Sequence, residues 1–333
     1  MPFWINIIVA LTAFAVSAVM GFFLIPLLKK IHFGQTIYDK GPAWHKNKQG
    51  TPIMGGFMFI FGSAIAVFIG YSIYRARVGE QAQDTGFMRL LAGYIFALLN
   101  MIIGFADDYI KAVKKQNLGL KPKQKMVMQF IFGTAFLYVL YILGDKSTTL
   151  NFFWFELDIG IFYYPFMLLV IIFLTNSVNL TDGIDGLCGS VTVISMVSFV
   201  MLTASMGIWE YSIYAMAVAG GCLGFLVWNL HPAKVFMGDT GSMFLGGAVT
   251  AIGLVTRQHL LLAVIAIVYI AEALSVVIQV IYFKITKGKR LFKMSPIHHH
   301  FELCGWNEYR IVITFSAAGL IAGTAANLIL ICG

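Results

Sequence analysis

Two aspartates, Asp182 and Asp185, lie between two long apolar runs in the segment NSVNLTDGIDGL, residues 176–187. The runs cover residues 163–175 upstream and 187–206 downstream. A carboxylate beside the bilayer is costly and usually functional. The glycines of the segment let the backbone approach a ligand closely, and the start of the following helix favours an anion. The segment therefore predicts a phosphate site flanked by carboxylates.

A second pair of carboxylates, Asp107 and Asp108, ends another apolar run in GFADDYIK, residues 104–111. Lys111 follows one helical turn later, so we expect it on the same helical face. Adjacent carboxylates repel each other, and such a pair is retained most readily beside a divalent cation or a lysine, or with one member protonated. A surface ion-pair cluster is the alternative interpretation.

Asp239 lies between two glycines in FMGDTGS, residues 236–242. A single acid in a tight turn with apolar flanks is a candidate metal ligand. It could equally cap the following helix, and the two roles are compatible. Asn229 and His231 add polar groups at the same depth, and Phe236 offers a ring on which a base could stack.

Lysines suited to an anion occur in two further loops. Lys46 lies among glycine and proline turns in residues 39–56, and Lys125 ends the basic run KPKQK. A solvated basic loop that only sets topology is the alternative for both.

Three consecutive histidines, His298, His299 and His300, follow in PIHHHFE. On a helix they would point about 100° apart, so they do not form one metal-binding face, and imidazole donors to a polyanion are the better interpretation. Glu272 lies in the middle of an apolar run. A structural hydrogen bond to a neighbouring helix is its default role, and a functional role is the alternative.

Together these groups combine five aspartates with many lysines and histidines. Carboxylates hold magnesium, the metal neutralises phosphates, and lysines take up the remaining charge of a transition state. The reaction class inferred is phosphoryl transfer at a membrane surface.

The elements that must position these groups are membrane helices. With 59% hydrophobic and 11% charged residues, the chain is not a water-soluble globule. We expect an all-α polytopic membrane protein with a single domain, residues 1–333, and about ten transmembrane helices. The predicted spans are 3–28, 53–74, 88–106, 126–143, 162–178, 187–205, 211–229, 241–257, 259–283 and 311–331.

The distribution of basic residues predicts the orientation of these spans. Eighteen of the 23 lysines and arginines fall in one set of alternating loops, which also carries every motif. The positive-inside rule makes that set cytoplasmic, with both termini extracytoplasmic and the active site on the cytoplasmic face. A small periplasmic hairpin is expected near 145–160. The net charge of +8 is attributed to the basic loops that set the orientation in the membrane, and not to nucleic-acid binding.

Five motifs in order make the whole chain similar to a known family, the polyprenyl-phosphate N-acetylhexosamine-1-phosphate transferases. They are GTPxMGG at Gly50–Gly56, GFADDYIK, NSVNLTDGIDGL, FMGDTGS and PIHHHFE at Pro296–Glu302. The IHHHFE form resembles the branch whose donor carries a muramoyl-pentapeptide. One departure is Ile53, where threonine would be expected.

The resemblance implies transfer of phospho-MurNAc-pentapeptide from UDP-MurNAc-pentapeptide to undecaprenyl phosphate, with release of UMP and formation of lipid I. It implies a magnesium requirement and a multi-pass location in the bacterial cell (inner) membrane. Membrane lipids and nucleoside-type inhibitors are implied partners, with a homodimer as an option.

The resemblance also assigns roles to residues. Asp239 is similar to the magnesium ligand of the family, with Asp107 and Asp108 contributing to the metal and the lipid-phosphate site, and His298 completes the catalytic set. The implied substrate-binding residues are Lys46, Thr51, Lys111, Lys125, Asn176, Asn179, Asp182, Asp185, Asn229, Phe236, His299 and His300.

Several alternatives remain open at this point. The lipid phosphate, deprotonated by Asp107, could attack directly, or an aspartate could first take the phosphosugar covalently. Direct attack is favoured because a lipid phosphate is already ionised at neutral pH. A UDP-GlcNAc-using transferase, a transporter and a lipid-binding scaffold are the competing functions. A transporter should carry its acids at mid-bilayer, as only Glu272 does here.

Overall fold

A computed structural model describes residues 3–31, 50–79, 84–114, 118–152 and 154–332. These residues form twelve α-helices, which are α1 Trp4–Lys30, α2 Phe57–Val78, α3 Asp84–Lys114, α4 Pro122–Ile142, α5 Tyr163–Thr181, α6 Leu187–Ser205, α7 Trp209–Asn229, α8 Gly238–Val255, α9 His259–Ile265, α10 Ile267–Ile285, α11 Ile297–Glu302 and α12 Glu308–Cys332. Nine of the described helices are long and apolar enough to cross a membrane. The prediction of an all-α polytopic membrane protein is confirmed.

Two predicted spans are matched only in part. The span predicted at 241–257 corresponds to α8, which is not among the nine helices that are apolar enough to cross a membrane, and every residue of α8 from Thr240 to Leu254 is buried by other helices. The prediction of one continuous helix at 259–283 is wrong, because the helix is interrupted at Ala266 between α9 and α10. The seven residues of α9 are too few to cross a bilayer alone.

Helix α8 lies at the centre of the bundle because small residues allow close packing on two sides. A Cβ on Gly246 would lie 2.7 Å from the carbonyl oxygen of Thr175 in α5, and a Cβ on Gly247 would lie 2.8 Å from the Cα of Ala97 in α3. Small residues at such contacts let membrane helices approach closely. The first turn of α8 is thereby brought to the ends of α3 and α5, where the aspartate motifs lie.

A small hairpin lies at the opposite end of α8. Strands β1 (Thr149–Asn151) and β2 (Glu156–Asp158) pair antiparallel, with Leu150 opposite Leu157, so the predicted hairpin is confirmed. The backbone N–H of Asn151 donates to Nδ1 of His259 at the start of α9. With a rise of 1.5 Å per residue, the 18 residues of α8 separate the hairpin from Asp239 by roughly 27 Å.

Candidate active site

The end of α3 places Asp107 among basic side chains. Its buried carboxylate accepts a hydrogen bond from the backbone N–H of Leu120 at 2.7 Å. The Nζ of Lys111, four residues later, lies 2.6 Å from Asp107 Oδ2, as the helical spacing predicts. The Nζ of Lys125 in α4 lies 3.0 Å from Asp107 Oδ1. Two lysines from different helices therefore neutralise one carboxylate.

Asp108 has a different task, since it caps the start of α8. Its Oδ1 accepts the backbone N–H of Asp239 at 3.1 Å, and its Oδ2 accepts the backbone N–H and the hydroxyl of Thr240 at 2.9 and 2.7 Å. N–H groups in the first turn of a helix have no partner within that helix. The cap predicted for Asp239 is thus supplied by Asp108 instead. A Cβ on Gly104 would lie 2.0 Å from the Asp239 carbonyl oxygen, which explains why the α3 motif begins with glycine.

Asp239 joins three helices at this point. Its Oδ2 lies 2.7 Å from the Nζ of Lys125 and 3.4 Å from the Nζ of Lys111. Its Oδ1 accepts a hydrogen bond from the side-chain amide of Asn179 at 3.2 Å, and the same amide donates to Ser242 Oγ at 2.7 Å. The predicted residues Asp239, Asn179, Lys111 and Lys125 therefore meet at one place.

We call Asp107, Asp108 and Asp239 the aspartate cluster. One carboxylate oxygen from each lies within 4.8 Å of the other two. Carboxylate oxygens are the ligands that magnesium takes from proteins. The residues present therefore fit a magnesium ion in donor type.

The turn between α5 and α6, residues 182–186, carries Asp182 half-buried beside this cluster. Burial raises the pKa of the Asp182 carboxyl well above its ordinary value. The negative charges of Asp239, Asp108 and Asp185 raise that pKa further. Asp182 therefore lies close enough to the aspartate cluster for the negative charges of the cluster to act on it. A cation or a donor group on a ligand would stabilise the ionised form of Asp182.

Asp185, in the same turn, is held by groups from two other elements. Its Oδ2 accepts the backbone N–H of Ala233 and lies 3.0 Å from Nδ1 of His231. The backbone N–H of Asp185 donates to Glu308 at the start of α12, and the other oxygen of Glu308 lies 3.4 Å from His231. We call Asp185, His231 and Glu308 the loop clamp, because together they tie the turn to the segment before α8 and to α12. The oxygen and nitrogen atoms of the loop clamp also lie within 4.8 Å of one another.

Asn229 reinforces the same connection. Its side-chain oxygen accepts the backbone N–H of Gly186 at 3.1 Å, and its amide donates to the carbonyl of Val235 at 2.9 Å. Gly186 has a φ of +77°, a conformation that glycine adopts without strain. Both hydrogen bonds of Asn229 are therefore made to backbone, and they join the 182–186 turn to the segment before α8.

The first motif, residues 50–56, runs beside the segment that precedes α8. The backbone N–H of Phe236 donates to the Pro52 carbonyl, and the Gly55 N–H donates to the Phe236 carbonyl, both at 2.8 Å. The side chains of Thr51 and Phe236 are half-buried. This pairing brings two predicted substrate-binding residues, far apart in sequence, into the same region.

The second and third histidines of α11 contact different groups. His299 Nδ1 lies 2.6 Å from Glu302 Oε2 within α11. His300 Nδ1 accepts the backbone N–H of Lys293, on the preceding loop, at 3.1 Å. The two rings therefore do not face a common metal site, and His300 is hydrogen-bonded to the loop that precedes its own helix.

His298 is fully buried and pairs with Glu272. Its Nδ1 lies 3.0 Å from Glu272 Oε2, and both residues are 0% exposed. The default interpretation of Glu272, a hydrogen bond to a neighbouring helix, is therefore observed, and its partner is the predicted catalytic histidine. A Cβ on Gly183 would lie 2.1 Å from His298 Nε2, so this edge of the ring packs directly on the Asp182 turn.

One predicted substrate-binding residue, Asn176, contacts other groups. The side-chain amide of Asn176 donates to Gln129 Oε1 in α4 and to the carbonyl of Ile172, so it joins α4 to α5. Lys46 falls outside the described residues.

Three residues with contacts at the site, Thr240, Ser242 and Glu308, were not predicted from the sequence. Thr240 and Ser242 follow Asp239 by one and three positions in the FMGDTGS motif. Their closeness in sequence to a predicted metal ligand could have indicated a role at the site. For Glu308 the only signal was an acid at the first turn of the last apolar helix. Its partner lies 123 residues away in sequence.

Comparison with known proteins identifies a matching family. The model of glycosyl transferase family 4 matches residues 90–257. A phospho-N-acetylmuramoyl-pentapeptide-transferase of Listeria welshimeri is 42% identical over 321 residues, which cover 96% of each chain.

Two further relatives carry the same name. The protein of Heliobacterium modesticaldum is 45% identical over 314 residues, 94% of each chain. The protein of Clostridium botulinum is 43% identical over 311 residues, 93% of this chain and 92% of the relative. The similarity thus extends over nearly the whole length of this chain.

Proposed function

This chain belongs to the phospho-N-acetylmuramoyl-pentapeptide-transferase family, and we propose that it transfers phospho-MurNAc-pentapeptide from UDP-MurNAc-pentapeptide to undecaprenyl phosphate, giving lipid I and UMP. The observation that carries the proposal is the aspartate cluster with Lys111 and Lys125 between its carboxylates. A membrane-surface site of this charge suits two phosphate substrates, one of them a lipid.

We propose direct attack as the chemical step. An oxygen of the lipid phosphate forms a bond to the sugar-linked phosphorus, the bond from that phosphorus to the UMP oxygen breaks, and UMP leaves with the electron pair. Asp107 accepts any proton that the lipid phosphate still carries. Lys111 and Lys125 are placed to take up the charge on the phosphoryl oxygens.

Magnesium would be held by Asp107 and Asp239, with Asp108 keeping Asp239 in place through the first turn of α8. When bound, it would supply charge neutralisation at the diphosphate. Asp182 lies near the cluster, and Phe236 and Thr51 lie in the paired segments beside it, which supports these residues as the nucleotide pocket.

The orientation in the membrane follows from the basic loops. We propose ten spans, with α8 as one and α9–α10 as an interrupted one, both termini outside and the aspartate cluster at the cytoplasmic face of the inner membrane. Cys304 and Cys332 are first replaced by serine, and single cysteines are then introduced at Thr148 and at Lys289. In intact cells the cysteine at position 148 should be labelled from outside, and the cysteine at position 289 should be labelled only from the cytoplasmic side. Labelling of both from outside intact cells would contradict this topology.

The donor sugar is tested by supplying two donors to the purified protein. With magnesium and undecaprenyl phosphate, we expect UMP release from UDP-MurNAc-pentapeptide to be far faster than from UDP-GlcNAc. Equal or reversed rates would place the protein with the UDP-GlcNAc-using enzymes. No UMP from either donor would overturn the transferase proposal and favour a transporter.

A further inference from the structure

Glu272 and His298 form a buried pair that the proposed reaction does not use directly. Glu272 lies in the second turn of α10, and its Oε2 is 3.0 Å from Nδ1 of His298 in α11. Neither side chain reaches solvent. An unpaired carboxylate at this depth would be costly, so the contact with the ring is what makes Glu272 tolerable there.

This contact selects one form of the histidine ring. An ionised Glu272 only accepts hydrogen bonds, so with that form of Glu272 the shared proton belongs to His298 Nδ1. In a neutral ring Nε2 is then bare. A carboxylate on one nitrogen of an imidazole fixes both the tautomer and the ring orientation.

The other edge of the ring meets the turn that carries Asp182. His298 Nε2 has no hydrogen-bond partner among the described residues, and it faces the Cα of Gly183, where a Cβ would come within 2.1 Å. Any side chain at this position would displace either the ring or the turn. The glycine next to Asp182 is therefore required by the position of His298.

The turn is thus held from two sides. Its second half, Asp185 and Gly186, is fixed by the loop clamp and by Asn229. Its first half packs on His298 at Gly183, and the neighbouring His299 ring lies 4.1 Å from that of His298 between centroids. The contact with His298 therefore fixes the residue next to Asp182.

We infer that Glu272 is a positioning residue of the active site, which acts through His298 to set the turn that presents Asp182. Helix α10 is in this way connected to the nucleotide-binding turn by one hydrogen bond and one ring contact. The inference rests on the proposed function, because it assigns the turn to that site.

A double-mutant cycle on the rate of UMP release tests the pair. Glu272→Ala should lower kcat by about 10- to 100-fold, as loss of an orienting partner of a histidine typically does. Glu272→Gln should regain most of the activity, because its amide oxygen can accept the Nδ1 proton. The double variant Glu272→Ala with His298→Ala should be no slower than His298→Ala alone.

A matched control is available one turn along α10. Ser275 is also buried, and its hydroxyl bonds the Glu272 carbonyl within the helix, so Ser275→Ala should keep nearly the full rate. Losses that multiply in the double variant, or an unchanged rate in Glu272→Ala, would overturn the inference.

A measurement on the unmodified protein serves if the Glu272 variants do not fold. In ¹⁵N-histidine-labelled protein at alkaline pH, the His298 ring, assigned by its loss in His298→Gln, should carry its proton on Nδ1. A proton on Nε2 would overturn the pairing. Wild-type protein that shows the Nδ1 proton but releases no UMP would instead contradict the proposed function and leave the Glu272–His298 contact standing.

Discussion

The aspartate cluster and the loop clamp contain similar groups but differ in the cations beside their carboxylates. Each brings atoms of three side chains that could bind a metal within 4.8 Å of one another. The carboxylates of Asp107 and Asp239 contact lysine ammonium groups, which phosphates can recruit. In the clamp, Asp185 and Glu308 accept backbone N–H groups that belong to fixed turns. Proximity of acids alone therefore does not point to a reaction centre, whereas lysine ammonium groups between the acids favour one.

The largest effect should come from Asp239→Asn. Because this carboxylate contacts both lysines and is the best-placed metal ligand, turnover should fall by at least about 100-fold. UMP affinity should change little, since the metal would neutralise phosphate charge and would not hold the base. Rates of UMP release and calorimetry with UMP measure the two quantities separately, and normal turnover would remove Asp239 from the reaction centre.

Asp108 should behave as a cap and not as a ligand. Asp108→Ala leaves the first turn of α8 without its acceptor, so the protein should be destabilised by about 2 kcal/mol and turnover should fall with it. Asp108→Asn keeps one acceptor oxygen and should retain much of both. Thermal unfolding and UMP release on the two variants decide the matter, because a metal-ligand role predicts equal damage from Asn and Ala.

Breaking the loop clamp should affect binding more than turnover. Glu308→Gln keeps an acceptor for the Asp185 N–H but loses the charge facing His231, so we expect UMP affinity to fall by about 1 kcal/mol, with kcat changed less. The counterpart in the aspartate cluster is Asp239→Asn, which should show the reverse pattern. A loss of kcat in Glu308→Gln as large as in Asp239→Asn would erase the distinction between the two groups.

The smallest effect is expected at Phe236. Loss of its ring in Phe236→Ala should weaken UMP binding by about 1 kcal/mol, while kcat at saturating donor stays near that of the wild type. Phe236→Tyr retains the ring and serves as the matched control. Unchanged affinity in Phe236→Ala would mean that the base stacks elsewhere.

Features that depend on local sequence were predictable. The apolar runs gave the helical class, and the helical spacing of Asp107 and Lys111 gave their ion pair. The alternation near 145–160 gave the hairpin. Each of these depends on residues a few positions apart, where periodicity and turn chemistry act directly.

Features that depend on packing between distant segments were not predictable from the sequence. The capping of α8 by Asp108 requires α3 and α8 to approach over Gly104, and nothing in either segment alone encodes that contact. The same holds for Glu308 with Asp185, and for the break at Ala266 inside an uninterrupted apolar run. The sequence placed acids at one end of the bundle, but only the packed helices show which acids lie beside lysines and which tie loops together.

Manganese binding tests the distinction between the aspartate cluster and the loop clamp most directly. Mn²⁺ accepts the same oxygen ligands as Mg²⁺ and is counted by electron paramagnetic resonance of the purified protein. We expect one bound Mn²⁺ that is lost in Asp239→Asn and kept in Glu308→Gln, with UMP release lost and largely kept in the same two preparations. Manganese retained in Asp239→Asn, or lost in Glu308→Gln, would contradict the assignment of the aspartate cluster as the reaction centre.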